Sequence, residues 1–249
     1  MADNKIIEVK DLTVRYGDRT ILENVNFQIN RGEIFVIVGG SGCGKSTLLR
    51  QLIGLETPTK GDIFFENINF TSADKKQKNQ ILRRFGVLFQ SSGLFASMTL
   101  AENIALVLEK YTDLPEDKIE KIIEMKLDAV GLNGFQDFLP SEISGGMKKR
   151  AAFARSMALD PDVLFFDEPS SGLDPVTSAS LDELIVQINR GLGTTMVIVS
   201  HDLASILSVA HRIIMLDKSQ KGIIATGTPD ELRNSPDERV YNFFNRIAS

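Results

Sequence analysis

Apolar and polar residues alternate along the first part of the chain and later give way to continuous apolar runs, which predicts two kinds of strand. Residues 6–14 and 22–29 alternate with a period of about two, as in strands with one buried face. Residues 33–38, 162–168 and 195–200 each contain an uninterrupted run of four or five apolar residues, as in a parallel sheet covered on both sides. We therefore expect an antiparallel β subdomain at the edge of an α/β core.

The middle of the chain has the spacing of helices instead. In residues 99–110 and 115–130, apolar residues recur three and four positions apart, as on the buried face of an amphipathic helix. We interpret about residues 93–158 as a helical subdomain inserted into the α/β core, and residues 1–249 as a single domain. The other predicted elements are a turn at 57–62 before a strand at 63–66, a strand at 86–90, a helix at 176–190, a hairpin at 212–216 and 222–225, and short helices at 229–233 and 238–247.

Composition narrows the class of protein without identifying it. Of 249 residues, 43% are apolar and 24% are charged, as in an ordinary globular protein. The net charge of −5 argues against a nucleic-acid interface. The single cysteine, Cys43, excludes an internal disulfide and fits a reducing compartment. Because no apolar run reaches the ~18 residues of a membrane span and the start lacks a signal-peptide core, we expect a cytoplasmic protein that can dock on a membrane partner.

The strongest motif follows the apolar run at 33–38. The sequence GGSGCGKS at 39–46 fits G-x-x-x-x-G-K-[ST], a loop that cradles nucleoside triphosphates. Glycines let the backbone turn its N–H groups toward an anion, and the following helix adds the positive end of its dipole. We expect Lys45 to reach the β- and γ-phosphates of ATP and the Ser46 hydroxyl to bind Mg²⁺. The predicted nucleotide contacts here are Gly39, Gly40, Ser41, Gly42, Cys43, Gly44, Lys45, Ser46 and Thr47.

Polar residues at the ends of three buried runs are candidates for the chemistry. Asp167 follows residues 163–166 and is placed to hold Mg²⁺, and Glu168 beside it can orient and deprotonate water. The alternative is that these acids cap the next turn. His201 follows the run ending at 199, so it is expected near the γ-phosphate, although a structural histidine gives the same pattern. Gln90 could contact Mg²⁺ or water, or be an ordinary amide at the edge of a strand.

A second anion site is predicted at Ser144-Gly145-Gly146, which opens a helix. The P-loop already cradles one face of the phosphates, so this site has no obvious place at the same nucleotide within one chain. A head-to-tail pair of subunits would resolve this difficulty. Each ATP would then lie between the P-loop of one subunit and Ser144–Gly146 of its partner.

In order along the chain, these motifs resemble those of ATP-binding-cassette (ABC) ATPases over nearly its full length. The resemblance covers GGSGCGKST at 39–47, Gln90, ISGGM at 143–147, VLFFDE at 163–168, SSGLD at 170–174 and His201. It implies a P-loop NTPase (RecA-like) core with an antiparallel β subdomain and an inserted α-helical subdomain. It also implies that Tyr16 stacks on the adenine, that Glu168 is the catalytic base and that Ser144–Gly146 bind the γ-phosphate of the partner's ATP.

The same resemblance also bears on the roles of two further positions. Asp174 would lie in the loop that crosses the dimer interface. Met147 stands where most members carry glutamine. In this interpretation the glutamine side chain does not donate a hydrogen bond to the phosphate. We therefore expect the chain to hydrolyse ATP with methionine at this position.

The sequences ISGGMKKRAAFAR and DEPSSGLDPVTS resemble those of ATPases that serve Mla-type phospholipid transporters. This resemblance implies a homodimer at the cytoplasmic face of the inner membrane. It also implies three partners, an MlaE-type permease, an MlaD-type MCE protein and an MlaB-type STAS protein. The apolar residues Leu94, Phe95 and Met98 follow Gln90 and are either a docking site for the permease or part of the helical core.

Three rival functions remain open from the sequence. An ABC ATPase could serve a small solute such as an amino acid, and only the resemblance argues against this cargo. A soluble ABC protein of translation would need two cassettes, and one of DNA repair would need a coiled coil longer than residues 93–158. A P-loop kinase would have no use for Ser144–Gly146 as a second phosphate site.

Overall fold

The computed structural model describes residues 4–247. The strands there are β1 (Lys5–Tyr16), β2 (Arg19–Asn30), β3 (Ile34–Gly39), β4 (Lys60–Phe65), β5 (Ile68–Asn69), β6 (Phe85–Leu88), β7 (Val163–Asp167), β8 (Thr195–Val199), β9 (Arg212–Asp217) and β10 (Gly222–Gly227). The α-helices are α1 (Lys45–Leu52), α2 (Lys75–Leu82), α3 (Leu100–Tyr111), α4 (Glu116–Ala129), α5 (Gly145–Ser156), α6 (Pro175–Leu192), α7 (Leu203–Val209), α8 (Pro229–Arg233) and α9 (Glu238–Asn245).

A six-stranded sheet in the order β10-β9-β3-β8-β7-β6 carries the P-loop. The five strands β9, β3, β8, β7 and β6 run parallel to one another, and β10 pairs antiparallel with β9. Successive residues of β3 face two hydrophobic clusters, with Ile34, Val36 and Val38 in one and Phe35 and Ile37 in the other. Both faces are therefore covered, as the uninterrupted apolar runs predict.

The predicted antiparallel subdomain is confirmed as a separate sheet in the order β2-β1-β4-β5. Its inner residues belong to the same cluster as Phe35 and Ile37 of β3. The predicted turn at 57–62 is wrong in its second half, because β4 begins at Lys60. Gly61 has a φ of +83° and lies opposite a bulge formed by Asp11 and Leu12 of β1, where a Cβ would lie 2.4 Å from the Asp11 carbonyl oxygen, so the glycine belongs to a strand rather than a turn.

Helices α3, α4 and α5 follow β6 and pack against one another. The Thr99 hydroxyl caps α3 by accepting the Glu102 N–H, and the Glu102 carboxylate accepts the Thr99 N–H in return. In α4 the buried residues Ile119, Ile123 and Leu127 lie four positions apart. The predicted helices at 99–110 and 115–130 are thereby confirmed. Within residues 4–247, every helix is too short or too polar to span a bilayer.

Candidate nucleotide site

The loop between β3 and α1 requires glycine at two positions. Gly39 has a φ of +145°, and a Cβ there would lie 2.7 Å from Cys43 Sγ and collide with the Leu216 carbonyl of β9. Gly44, the N-cap of α1, has a φ of +108°, and its Cβ would lie 2.8 Å from Leu22 Cδ2. The loop therefore curls tightly onto the start of α1, where backbone N–H groups can bind an anion. The Cys43 side chain is buried in the core, and this burial raises the pKa of its thiol.

Side chains at the start of α1 complete a surface suited to phosphates. The Lys45 ammonium donates to the carbonyl oxygens of Gly39 at 2.8 Å and Gly40 at 3.2 Å, so it lies back across the loop. Ser46 is exposed in the first turn of the helix. A Cβ at Gly40 or Gly42 would meet no atom within 4 Å, which leaves the loop backbone open to a ligand.

The two acids after the apolar run of β7 have different surroundings. Burial and the charge of Glu168 raise the pKa of the Asp167 carboxyl, against the opposing effect of cations that include Lys45. Glu168 has a left-handed backbone, with a φ of +51°, and its N–H donates to the Val199 carbonyl at 2.9 Å. Its Oε2 lies 2.8 Å from His201 Nδ1 and accepts the His201 backbone N–H at 3.3 Å. The structure thus brings Glu168 and His201 into direct contact.

Gln90 does not end a strand, and this part of the sequence prediction is wrong. Strand β6 ends at Leu88, and the backbone then turns, because the Phe89 carbonyl accepts the N–H of Ser92 at 2.8 Å. The Gln90 side-chain amide donates to Ser171 Oγ at 3.1 Å, in the loop after β7. Gln90 is therefore joined to the segment that follows the two acids.

Ser144, Gly145 and Gly146 form the start of α5, where Ser144 and Gly145 are exposed and Gly146 is buried. The Ser144 Oγ accepts the N–H of Met147 at 3.2 Å and so caps the helix. A Cβ at Gly146 would lie 2.5 Å from Thr177 Cγ2, so α6 leaves room only for glycine there. The start of α5 packs beside α6, with the helix dipole and free N–H groups at the surface.

Comparisons with known proteins agree with this geometry. A family model described as "ABC transporter" matches residues 22–171. The chain is 42% identical to the intermembrane phospholipid transport system ATP-binding protein MlaF of Haemophilus influenzae, over 97% of this chain and 90% of that protein. It is 41% identical to the probable ribonucleotide transport ATP-binding protein mkl of Mycobacterium leprae, over 96% of this chain and 68% of that protein. A solved dimer of the ATP-binding cassette MJ0796 bound to ADP and Pi is 30% identical, with a TM-score of 0.80, over 89% of this chain and 98% of that one.

The chain belongs to the ABC transporter family. It is an ABC ATPase, and the nucleotide is its substrate. The predicted fold class, a P-loop core with an antiparallel β subdomain and inserted helices, is thereby confirmed.

The ring of Tyr16, the predicted adenine-stacking residue of this ABC ATPase, lies exposed at the end of β1. Its hydroxyl donates to Glu56 Oε2, and this hydrogen bond raises the pKa of Tyr16. Glu56 also accepts from Gln51 Nε2 at 3.1 Å and lies 3.6 Å from the Arg50 guanidinium. The ring is therefore tied to α1, the helix that begins at the P-loop. Sequence analysis missed Glu56, because an isolated acid in a loop carries no motif.

The side chain of Asp174, the predicted interface residue, caps α6. Its carboxylate accepts the N–H groups of Val176 and Thr177 at 3.0 and 3.1 Å and the Thr177 hydroxyl at 2.6 Å. The Thr177 hydrogen bonds lower the pKa of Asp174. The side chain thereby fixes the end of the loop that follows β7.

Sequence analysis also missed Lys149 of α5. This lysine is buried, and its ammonium donates to the backbone carbonyl of Gln90. Burial lowers its pKa, and the charges of Asp167 and Glu168 oppose that effect. Nothing in the sequence separates Lys149 from Lys148 beside it, since only the packing of α5 decides which one points inward.

Proposed function

We propose that this protein is the ATP-hydrolysing subunit of an ABC transporter that moves phospholipid between the inner and outer membranes. The observation that most supports ATP hydrolysis is the contact between Glu168 and His201 in a chain with a P-loop. The 42% identity to MlaF over 97% of the chain supports the cargo. The ATPase would act at the cytoplasmic face of the inner membrane, as a peripheral subunit.

Mg²⁺ is the metal that suits the donors of this site. Ser46 offers a hydroxyl and Asp167 a carboxylate, and Mg²⁺ prefers such oxygen ligands. Across residues 4–247, no three His, Cys, Asp or Glu side chains are grouped to hold a metal, which suits an ion that takes its other ligands from phosphates and water. Bound with ATP, the ion offsets charge on the phosphates. Gln90 would contribute its amide oxygen, since its amide nitrogen is bound to Ser171.

Different residues bind the phosphates and transfer the proton during hydrolysis. Lys45 and the backbone N–H groups of the P-loop hold the β- and γ-phosphates. Glu168 orients a water molecule and accepts its proton as the water oxygen attacks the γ-phosphorus and ADP leaves. His201 engages Oε2 of Glu168, so we assign Oε1 to the water. His201 thereby orients the base, and it would also contact the γ-phosphate.

The complete site requires two copies of the chain in head-to-tail arrangement. Ser144 and Gly145 are exposed at the start of α5, which packs beside α6, whereas the P-loop glycines lie at the end of β3 and in the loop before α1. They would bind the γ-phosphate of the ATP held by the partner's P-loop. Asp174 would lie at the same interface.

The permease would dock on the helical segment near Phe95. Leu94 is half-buried against the helical core, whereas the ring of Phe95 is 51% exposed with the Arg155 guanidinium 6.0 Å from its centre. Met98 is half-buried as well. We therefore assign the docking contact to Phe95, with an MlaE-type permease as the partner and MlaD-type and MlaB-type proteins in the same complex.

Transfer of labelled phospholipid between donor and acceptor vesicles by the reconstituted complex tests the proposed function. We expect ATP-dependent transfer by the wild-type complex. Glu168→Gln should retain ATP binding and hydrolyse ATP ~10²–10⁴-fold more slowly, the usual contribution of a general base, with transfer falling in parallel. A complex that moves amino acids or ribonucleotides but no phospholipid would contradict the cargo and leave the ATPase assignment intact.

The docking assignment is tested in the same complex with Phe95→Glu. A charge in an apolar contact should release the ATPase from the membrane while ATP binding by the isolated chain is unchanged. Tyr241→Glu is the matched control, since it adds the same charge at a similarly exposed aromatic residue of α9. Retention of the Phe95→Glu subunit would place the docking contact elsewhere.

A further inference from the structure

Two basic side chains of α5 hold the backbone of the turn that contains Gln90. The Lys149 ammonium donates to the carbonyl of Gln90. The Arg155 guanidinium donates to the carbonyls of Gly93 at 2.7 Å and Ser92 at 3.3 Å. One helix therefore binds three carbonyl oxygens of a four-residue segment.

The burial of Lys149 indicates a specific role for its charge. Its exposed fraction is 5%, and lysine is rarely buried to this degree unless its ammonium is paired. An apolar side chain would fill the same space without the cost of removing a cation from water. The ammonium instead meets the Gln90 carbonyl and faces the charges of Asp167 and Glu168.

The turn itself depends on these contacts. Ser92 and Gly93 are both left-handed, with φ angles of +64° and +62°. Ser92 is buried, and for serine this left-handed backbone is sterically less favourable than for glycine. The hydrogen bonds from Arg155 and Lys149 hold the turn in this shape, with Gln90 at one end.

Helix α5 also begins with the second phosphate site. Ser144, Gly145 and Gly146 form its first turn, and Lys149 lies in its second. Lys149 therefore connects the start of the helix with the backbone of Gln90, whose side chain donates to Ser171 after the two acids.

We propose that Lys149 is a positioning residue that links the Ser144–Gly146 phosphate site to Gln90 of the same chain. This inference rests on the proposed dimer, in which Ser144–Gly146 bind the ATP held by the partner subunit and Gln90 faces the ATP held by its own. Lys149 thus connects the two ATP sites of the dimer. When ATP binds at one site, Lys149 changes the position of Gln90 at the other site.

Steady-state ATP hydrolysis by the reconstituted complex tests this link. We expect Lys149→Met to lower kcat about 10-fold with KM changed less than about 2-fold, because coupling is lost while phosphate binding by the P-loop is kept. Lys149→Arg, which can donate to the same carbonyl, should restore most of kcat. Lys148→Met is the matched control, since it removes the same charge from the neighbouring position of α5.

Amide hydrogen exchange supplies a second readout, in a Glu168→Gln background that retains ATP. ATP should slow exchange in residues 39–47 and in residues 89–96 when Lys149 is present. With Lys149→Met, the slowing should persist in residues 39–47 and disappear from residues 89–96.

The outcomes separate this proposal from the proposed function. A wild-type complex without ATP hydrolysis would contradict the proposed function. A hydrolysing wild-type complex together with an unchanged kcat in Lys149→Met, or with equal losses in Lys149→Met and Lys148→Met, would overturn the role of Lys149. If Lys149→Met does not fold, Lys149→Gln carries the same expectation. Failure of both to fold would assign Lys149 to the stability of the core and overturn the proposal.

Discussion

At the scale of single residues, the predicted site residues are held by backbone geometry that few other residue types adopt. Gly39 and Gly44 have positive φ angles in a loop where a Cβ would collide with neighbouring strands. Glu168 has a φ of +51° without being glycine, and such residues often mark functional sites. Its N–H bond to Val199 and its contact with His201 hold the carboxylate in one place.

The P-loop lysine gives the simplest prediction at this scale. Lys45→Ala removes the cation assigned to the phosphates, so ATP binding by the isolated chain should weaken by about 10²-fold or more, as expected for a charge-assisted contact. Titration with a fluorescent ATP analogue measures the change, and Lys76→Ala at an exposed site of α2 is the control. Unchanged binding would remove the P-loop from the mechanism.

The local setting of the motif residues could be predicted because it depends on neighbours in the sequence. Lys45, Ser46 and Glu168 each stand at a fixed place in a local pattern, and their roles at the nucleotide stay predictions. Lys149 and Glu56 could not be predicted, since each acts through a partner on another element. Only packing decides that Lys149 is buried.

At the scale of elements, long periodic segments were predictable, whereas short or distorted ones were predictable only in part. The helices α3 and α4 lie within one residue of the periodic segments. The short helices predicted at 229–233 and 238–247 are present as α8 and α9, but the seven residues of α7, Leu203–Val209, show too little of a helical period to predict it. Gly61 and Gln90 were misplaced because their conformations depend on other elements. Gly61 lies opposite a bulge of β1, and side chains of α5 hold the turn that contains Gln90.

An ion network joins the two sheets, and its members come from separate elements. The Arg84 guanidinium donates to both carboxylate oxygens of Glu66, at 2.8 and 3.0 Å, and to Asp162 Oδ2 at 2.5 Å. Glu66 follows β4 of the antiparallel sheet, and Asp162 precedes β7 of the parallel one. Arg31 also pairs with Glu66. The hydrogen bond from Arg84 is the main cause that lowers the pKa of Glu66 to about 2.

The network predicts a pH-dependent stability. Because the Glu66 pKa is about 2 when folded and about 4.5 as a free side chain, the unfolded chain binds more protons between these values. The contribution of Glu66 is therefore complete above pH 4.5 and is lost as the pH falls toward 2. Glu66→Gln should lower the free energy of unfolding by about 1 kcal/mol at pH 7, allowing for partial exposure of the pair.

Urea unfolding at several pH values measures this effect. The difference between wild type and Glu66→Gln should be constant from pH 7 to 5 and shrink below pH 4.5. Glu120→Gln, at an exposed position of α4, should show no comparable loss at pH 7. A difference independent of pH would mean that shape rather than charge explains the loss.

At the scale of the whole molecule, the two predicted halves of the ATP site lie on different elements. The P-loop, the acids and His201 gather at the ends of β3, β7 and β8, whereas Ser144–Gly146 lie on the helical segment beside α6. The sequence indicated both halves because each carries its own motif. The sequence also predicts a pair of subunits, and the similar cassette MJ0796 is a dimer in its solved structure.

The central claim is that two chains share each ATP, and mixed complexes test it most directly. One subunit carries Ser144→Arg and the other Lys45→Ala, so one composite site keeps both intact halves and the other keeps neither. We expect such a complex to bind one ATP tightly at the intact composite site. The other site, which contains both substitutions, should stay empty. Complexes in which both subunits carry both changes should bind none tightly. A mixed complex that binds no ATP at its intact composite site would contradict the head-to-tail arrangement.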